Sequence, residues 1–252
     1  LIPLPPLAEQ QRIVAKLDAA FAEIDKAAAL AKATAAEVRL LFQIALDKEI
    51  NDNNLPSHSL NLERICKFID YRGKTPKKAT SGVRLLTAKN VRMGYVKLEP
   101  EEFISKDEYQ RHMVRGYPKV GDVVITTEAP LGLVAQISDS SVALGQRLIT
   151  LQANETLIDN TFLKYTLMSK SIQSKIDNAG TGATVKGIKA SLLKKIYLNV
   201  PTTLVAQNNI VEKVARIEEC VKILIENIKN KLLLLNSLKS AILTQALQPP
   251  KQ

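Results

Sequence analysis

Residues 72 to 92, RGKTPKKATSGVRLLTAKNVR, put seven cations into one stretch without an acidic residue: Arg72, Lys74, Lys77, Lys78, Arg84, Lys89 and Arg92. Thr75, Thr80, Ser81, Thr87 and Asn90 are interleaved with them. Lysine and arginine neutralise phosphates, and hydroxyl and amide groups exchange hydrogen bonds with base edges, so the chemistry on offer is recognition of a polyanion such as duplex DNA. A second stretch, NAGTGATVKGIK at 178 to 189, adds unhindered backbone N–H groups, the hydroxyls of Thr181 and Thr184, and the cations Lys186 and Lys189, all suited to phosphate oxygens. Taken alone, each stretch also reads as a solvated loop.

Groups for bond-making chemistry do not assemble in the same way. Glycines 180, 182 and 187 fit neither G-x-G-x-x-G nor the G-x-x-x-x-G-K-[ST] phosphate loop. There is no G-x-S-x-G and no [DNS]-P-P-[YFW], the motif of amino-methyltransferases, and two histidines make a catalytic triad improbable. Asp122 and Glu128 in GDVVITTEAP could hold a magnesium ion, yet no lysine follows the glutamate at nuclease spacing, so they read as turn or surface groups. His58, His112, Cys66 and Cys220 are too scattered for a zinc site, and both cysteines read as buried small hydrophobes. The expectation is a chain without catalytic residues, metal or cofactor of its own.

The formal charge is +10 over 252 residues, and the middle segment, 51 to 200, carries +8 of it. No stretch approaches the roughly 18 consecutive apolar residues of a membrane span. The N-terminus also lacks the charged start and apolar run of a signal peptide, so the expected location is the cytoplasm and no membrane partner is expected.

All ten glycines lie between Gly73 and Gly187, and no proline occurs from 7 to 55 or from 202 to 248, so the flanks read as long helices and the middle as a turn-rich domain. Alternating steps of four and three from Ile13 reach Leu17, Ala20, Ile24, Ala27, Ala31, Thr34, Val38, Leu41 and Ala45. The same rule from Ile210 gives Val214, Ile217, Val221, Leu224, Ile228, Lys231, Leu235, Leu238 and Ile242. Sustained 3.5-residue spacing marks coiled-coil seams, and two 43-residue helices would form rods of about 64 Å. A chain that leaves along one rod and returns along the other pairs them antiparallel; packing of both helices on the middle domain is the alternative. Within that domain GDVVITT, GLVAQIS, QRLITLQ and KKIYLNV read as strands, and DNTFLKYTLMSKSIQSKID as a helix near its end. The expected fold is α+β: a globular domain at 53–201 inserted between helices at 1–52 and 202–252 that form an antiparallel coiled coil.

PLPPLAEQQRIV leading into a helix, GKTP, LTAKNVRMGYV, GDVVITT, LGQRLITL and SLLKKIYLNVP occur in this order over nearly the whole chain. On these residues the chain resembles the DNA-specificity (S) subunit of type I restriction-modification systems, specifically one half of it: a second target-recognition domain with both conserved helices. The resemblance implies a non-catalytic polypeptide whose recognition domain reads half of a bipartite site in double-stranded DNA. It also implies that the coiled coil acts as a ruler, about 64 Å or roughly 19 base pairs long. Methyltransferase (M) subunits using S-adenosylmethionine would dock on it and a restriction (R) subunit would join. With one head, the chain is expected to be either a half-length subunit that forms a homodimer or the C-terminal portion of a longer one. LIPLPPLAEQQRIV would then be the junction from a preceding recognition domain, with Gln10 opposite Gln207 and a one-residue adjustment at the prolines.

In that frame the residues expected near DNA are Tyr71, Arg72, Lys74, Thr75, Lys77, Lys78, Lys89, Asn90 and Arg92. Of these, Arg72, Lys89, Asn90 and Arg92 are expected at base edges, and the lysines of KTPKK at phosphates. A supporting set comprises Thr126, Thr127, Gln146, Arg147, Thr181, Thr184 and Lys186. The rival reading is a structural coiled-coil scaffold or hinge protein without sequence-specific DNA binding.

Overall fold

The computed structural model describes residues 5–52, 54–182 and 185–248. In chain order its elements begin with α1 (Leu7–Ile50), β1 (Ser57–Asn61), α2 (Leu62–Ile65), β2 (Cys66–Asp70), β3 (Lys78–Ala79), β4 (Val83–Leu86), β5 (Val91–Arg92), β6 (Tyr95–Val96) and β7 (Phe103–Ile104). They continue with α3 (Lys106–His112), β8 (Val123–Thr127), β9 (Leu131–Gln136), β10 (Ala143–Leu144), β11 (Leu148–Ala153), α4 (Asn160–Met168), α5 (Lys170–Ala179), α6 (Ala190–Leu193), β12 (Tyr197–Pro201) and α7 (Leu204–Ala246). The architecture is the expected α+β domain flanked by two long helices. No described helix is long and apolar enough to cross a membrane.

Two compact units emerge, one made of the helices up to Phe42 and from Arg216, the other of Gln43–Ala215. In the helical unit Lys239 Nζ lies 2.9 Å from the Asp25 carboxylate and over the Phe21 ring, 4.9 Å from its centroid. In the second unit Lys213 Nζ pairs with Glu49 at 3.4 Å.

The seams depart from strict 3.5-residue spacing in one place on each helix. On α1 the buried positions run Ile24, Ala31, Ala35, Phe42 and Leu46, so Ala35 and Phe42 replace Thr34 and Leu41, which are exposed. On α7 the partly buried stripe passes through Ile225, Leu232 and Lys239 where Leu224, Lys231 and Leu238 were expected. The physical reason is the helix itself: at 3.6 residues per turn an apolar stripe drifts from a 3.5 repeat, and one extra residue per seam restores the register. The apparent break at Lys231 disappears, because Leu232 takes the seam position.

The second unit is built on two four-stranded sheets, β2-β11-β8-β9 and β10-β4-β7-β3. The first is antiparallel throughout and the second contains a parallel β10–β4 pair. All of Val123–Thr127 is buried, because strand β8 lies inside its sheet and both of its faces are covered. One core joins the sheets, with Ile69, Leu85, Leu86, Ile104, Val124, Leu144 and Leu148 at its centre. A further ribbon, β1 with β12, closes the domain where the chain enters and leaves it.

DNTFLKYTLMSKSIQSKID forms two helices rather than one. Ser169, with ψ 146, is extended; its hydroxyl donates to Thr166 O at 2.7 Å and ends α4, and α5 starts at Lys170. Cys66 is buried, and burial pushes its thiol up to about 12, so it is inert as a nucleophile. Cys220 is exposed, contrary to its expected burial, because α7 turns it away from the seam between Ile217 and Val221.

Candidate nucleic-acid interface

The end of β8, the turn between β10 and β11, the loop after β2 and the loop after α5 converge on an open cleft of about 280 Å³. Backbone pairing fixes them together: Thr127 N donates to Arg147 O at 2.9 Å and Ile188 N donates to Thr127 O at 2.9 Å. The loop after α5 is closed by reciprocal bonds between Thr181 and Gly187, 2.8 and 2.9 Å, so those N–H groups are already used. Gly182, at φ +117 and against the Val185 carbonyl, allows this tight closure, which a side chain would obstruct.

Arg72, Thr127, Gln146, Arg147 and Thr181, distant in sequence, all line this cleft, together with Glu128 and Lys189. Thr127 is buried at its floor. Gln146 Nε2 donates to Thr75 Oγ1, which brings Thr75 to the rim. Lys186 is exposed next to it and pairs with Asp177 at 2.6 Å. Thr184 lies outside the described residues. Glu128, which the sequence leaves as a turn or surface group, lies in the cleft beside Arg147, whose Nε is 3.3 Å from Glu128 Oε1; nothing in the local sequence marks this pairing.

Arg72 lines the cleft but spends its donors on the fold. Its Nε and Nη2 bind the Asp70 carboxylate at 2.9 and 2.6 Å, and Nη1 donates to Ile188 O at 3.0 Å. Burial pushes the Asp70 carboxyl up, but the Arg72 side chain and N–H outweigh it and hold it below the usual value. Expected at a base edge, Arg72 is held here as a brace between β2 and the loop at Ile188.

Four further expected contact residues are likewise structural. Tyr71 is buried, with its hydroxyl donating to Gly116 O at 2.9 Å and accepting from Arg115 N at 2.8 Å. Asn90 is 3% exposed; its Oδ1 accepts from Thr87 N and Oγ1, both at 3.0 Å, and its Nδ2 donates to Pro100 O at 3.0 Å. Thr126 is buried, donating to Pro130 O at 2.6 Å and accepting from Leu133 N at 2.9 Å. Arg92 Nη1 donates to the carbonyls of Lys89 and Val91, both at 2.9 Å. Burial and these bonds give Tyr71, Asn90 and Thr126 structural roles in the fold, and Arg92 Nη1 is engaged by backbone carbonyls.

The basic stretch is also less uncompensated than its sequence suggests. Lys74 Nζ donates to Arg111 O and His112 O, 2.9 and 3.1 Å, at the C-terminus of α3, a favourable place for a cation. Lys78 and Lys89 share Glu102 at 2.9 and 3.2 Å. Burial raises the Glu102 carboxyl, but the two lysines more than offset this and hold it down. Both lysines remain exposed, so phosphate can compete for them, and Lys77 is exposed with no side-chain partner among the described residues. Acids at 70, 101, 102 and 108 reach back to this stretch through the fold.

Asp122, one of the two acids that could pair at a magnesium ion, closes the turn into β8: its Oδ2 accepts from Lys119 N at 2.8 Å and Gln152 Nε2 at 2.7 Å. Burial pushes its carboxyl up, with those two bonds partly offsetting the shift.

Fold and site define a helix-flanked α+β module that presents a polar, charged cleft. Residues 61–234 match the family described as "Type I restriction modification DNA specificity domain", and the chain belongs to that family. It is 23% identical to the EcoBI type I restriction enzyme specificity subunit of Escherichia coli, over 98% of this chain and 57% of that protein. It is 25% identical to the EcoKI specificity subunit of Escherichia coli strain K12, over 97% of this chain and 56% of that protein. The chain thus spans somewhat more than half the length of these relatives. A solved structure described as a basis for complex assembly and conformational transition of the type I R-M system shares the fold at a TM-score of 0.75 and 23% identity, over 99% of this chain and 62% of that one.

Proposed function

We propose that this chain supplies sequence specificity, not catalysis, to a type I restriction-modification complex: its head reads one half of a bipartite duplex target. The cleft that gathers Gln146, Arg147, Thr181 and Lys189 around Glu128, in a chain of this family, carries the reading. Exposed Lys77, Lys78 and Lys89 supply phosphate contacts that position the head, and the cleft supplies base-edge contacts. The long helices set the distance between half-sites and dock methyltransferase (M) subunits that use S-adenosylmethionine; a restriction (R) subunit joins this assembly in the cytoplasm. A second head comes from a second copy of this chain or from a longer polypeptide.

Selection from a random pool of duplex DNA by the complex assembled with its methyltransferase subunits tests the proposal. One enriched bipartite motif is expected. Retention proportional to DNA length without any motif is the result that a purely structural scaffold predicts, and it would overturn the reading.

A further inference from the structure

We infer that Glu128 and Arg147 work as one unit that reads a G·C base pair within the half-site. The inference rests on the reading of the head as a duplex-recognition domain and adds which residues discriminate and what they select.

Arg147 has φ +64, the left-handed region that residues with a Cβ seldom occupy, and it does so at the mouth of the cleft. Such a conformation persists where the surroundings over-determine it, here through the bond from Thr127 N to Arg147 O. Its side chain is 59% exposed, and its one ion pair or hydrogen bond among the described residues runs from Nε to Glu128 Oε1 at 3.3 Å, with Glu128 43% exposed. The Nη1 and Nη2 atoms have no partner among the described residues, in contrast to Arg72, whose three nitrogens are all engaged. Arg147 is therefore the cleft arginine with donors to spare.

A carboxylate is an odd group to place where DNA binds, since phosphates repel it. It becomes useful opposite a donor. In the major groove guanine presents O6 and N7, two acceptors that match the arginine fork, and its partner cytosine presents the N4 amino group, a donor that matches a carboxylate. Thymine O4 would instead face the carboxylate with an acceptor, so the same pair of side chains rejects a T in the cytosine position. Gly187 keeps the place open: a Cβ there would lie 3.3 Å from Glu128 Cβ and 3.2 Å from Thr127 O, tighter than ordinary contact.

The test maps methylated sites on DNA modified by the assembled complex carrying wild-type chain, Glu128→Gln or Arg147→Gly. Glycine accepts the left-handed backbone and glutamine has the shape of glutamate, so melting curves at or above the wild-type midpoint are expected for both variants. Both should relax the motif at one and the same position, a G·C pair in the wild-type half-site, with discrimination there falling roughly ten- to hundredfold and the remaining positions retained. The inference is overturned if the half-site holds no G·C pair, if folded variants keep the full motif, or if they relax different positions. A wild-type complex that modifies no defined motif would instead overturn the proposed function.

Discussion

Arg72 forks onto Asp70, two residues earlier, with Nη2 2.6 Å from Oδ2 and Nε 2.9 Å from Oδ1, while its third nitrogen ties β2 to the carbonyl of Ile188. A side chain that sequence alone assigns to DNA thus holds one wall of the cleft against another.

Arg72→Ala is expected to destabilise the head by about 2 kcal/mol, the usual scale for charge-assisted hydrogen bonds at a partly buried site. The Asp70 carboxyl is held below its reference value of 3.8, so the stability it contributes is fully present above that pH and is lost as pH falls through the lower folded value. Acid titration followed by circular dichroism should show Asp70→Asn flattening this part of the pH profile. An unchanged acid limb would contradict the assignment.

Asn90 ties its turn together with side-chain bonds, accepting from Thr87 N and Oγ1 and donating to the carbonyl of Pro100. Asn90→Ala deletes the hydrogen bonds of a buried side chain, so a loss of roughly 2 to 4 kcal/mol in urea unfolding is expected. Asn90→Asp, which cannot donate to the carbonyl, should be no better. If Asn90 were instead a base reader, both variants would keep full stability and lose only DNA binding.

Gln207, 1% exposed at the start of α7, accepts from Asp159 N at 2.8 Å and donates to Leu157 O and Pro201 O, both at 3.0 Å. Gln207→Leu should cost about 2 to 3 kcal/mol through the orphaned backbone groups. Amide hydrogen exchange should quicken at Asp159, whose N–H loses its acceptor; protection unchanged from wild type would count against this latch.

Much of this was legible in sequence, and the limits have physical causes. Glycine and proline placement revealed both long helices, because those residues are costly in helix interiors. The expected echo between Gln10 and Gln207 appears in the bonds: Gln10 Nε2 donates to Pro5 O, five residues back, and Gln207 Nε2 to Pro201 O, six back, a one-residue offset at the prolines. The drift of the seam to Ile225 was hidden, since Leu224 and Ile225 are both apolar, whereas polar Thr34 beside Ala35 and Lys231 beside Leu232 carried the trace of it. The cleft was legible only in part: polar residue types at 72, 127, 146, 147 and 181 stood out, but no local pattern tells which arginine is braced and which is left with donors. The bonds that commit Tyr71, Asn90 and Thr126 to the fold run to Gly116, Pro100 and Pro130, 45, 10 and 4 residues away, so no single spacing marks them, and the acids that neutralise the basic stretch lie outside it.

Lys77, exposed and without a side-chain partner among the described residues, serves as a phosphate contact in the proposed function. For the assembled complex, Lys77→Ala should weaken binding to target and non-target duplexes alike and reduce the slope of log affinity against log salt by about 1. Fluorescence anisotropy across a salt series reads this directly. An unaltered slope would remove Lys77 from the interface.

The central claim is that the head dictates half of a bipartite target, and a domain exchange tests it most directly. Residues 53–201 are replaced by the head of another member of the family, the chain is assembled with its methyltransferase subunits, and methylated sites are mapped. The account predicts that one half of the motif changes to that of the donor while the other half and the spacing between them stay as they were. A motif unchanged after the exchange, or altered in both halves, would contradict it.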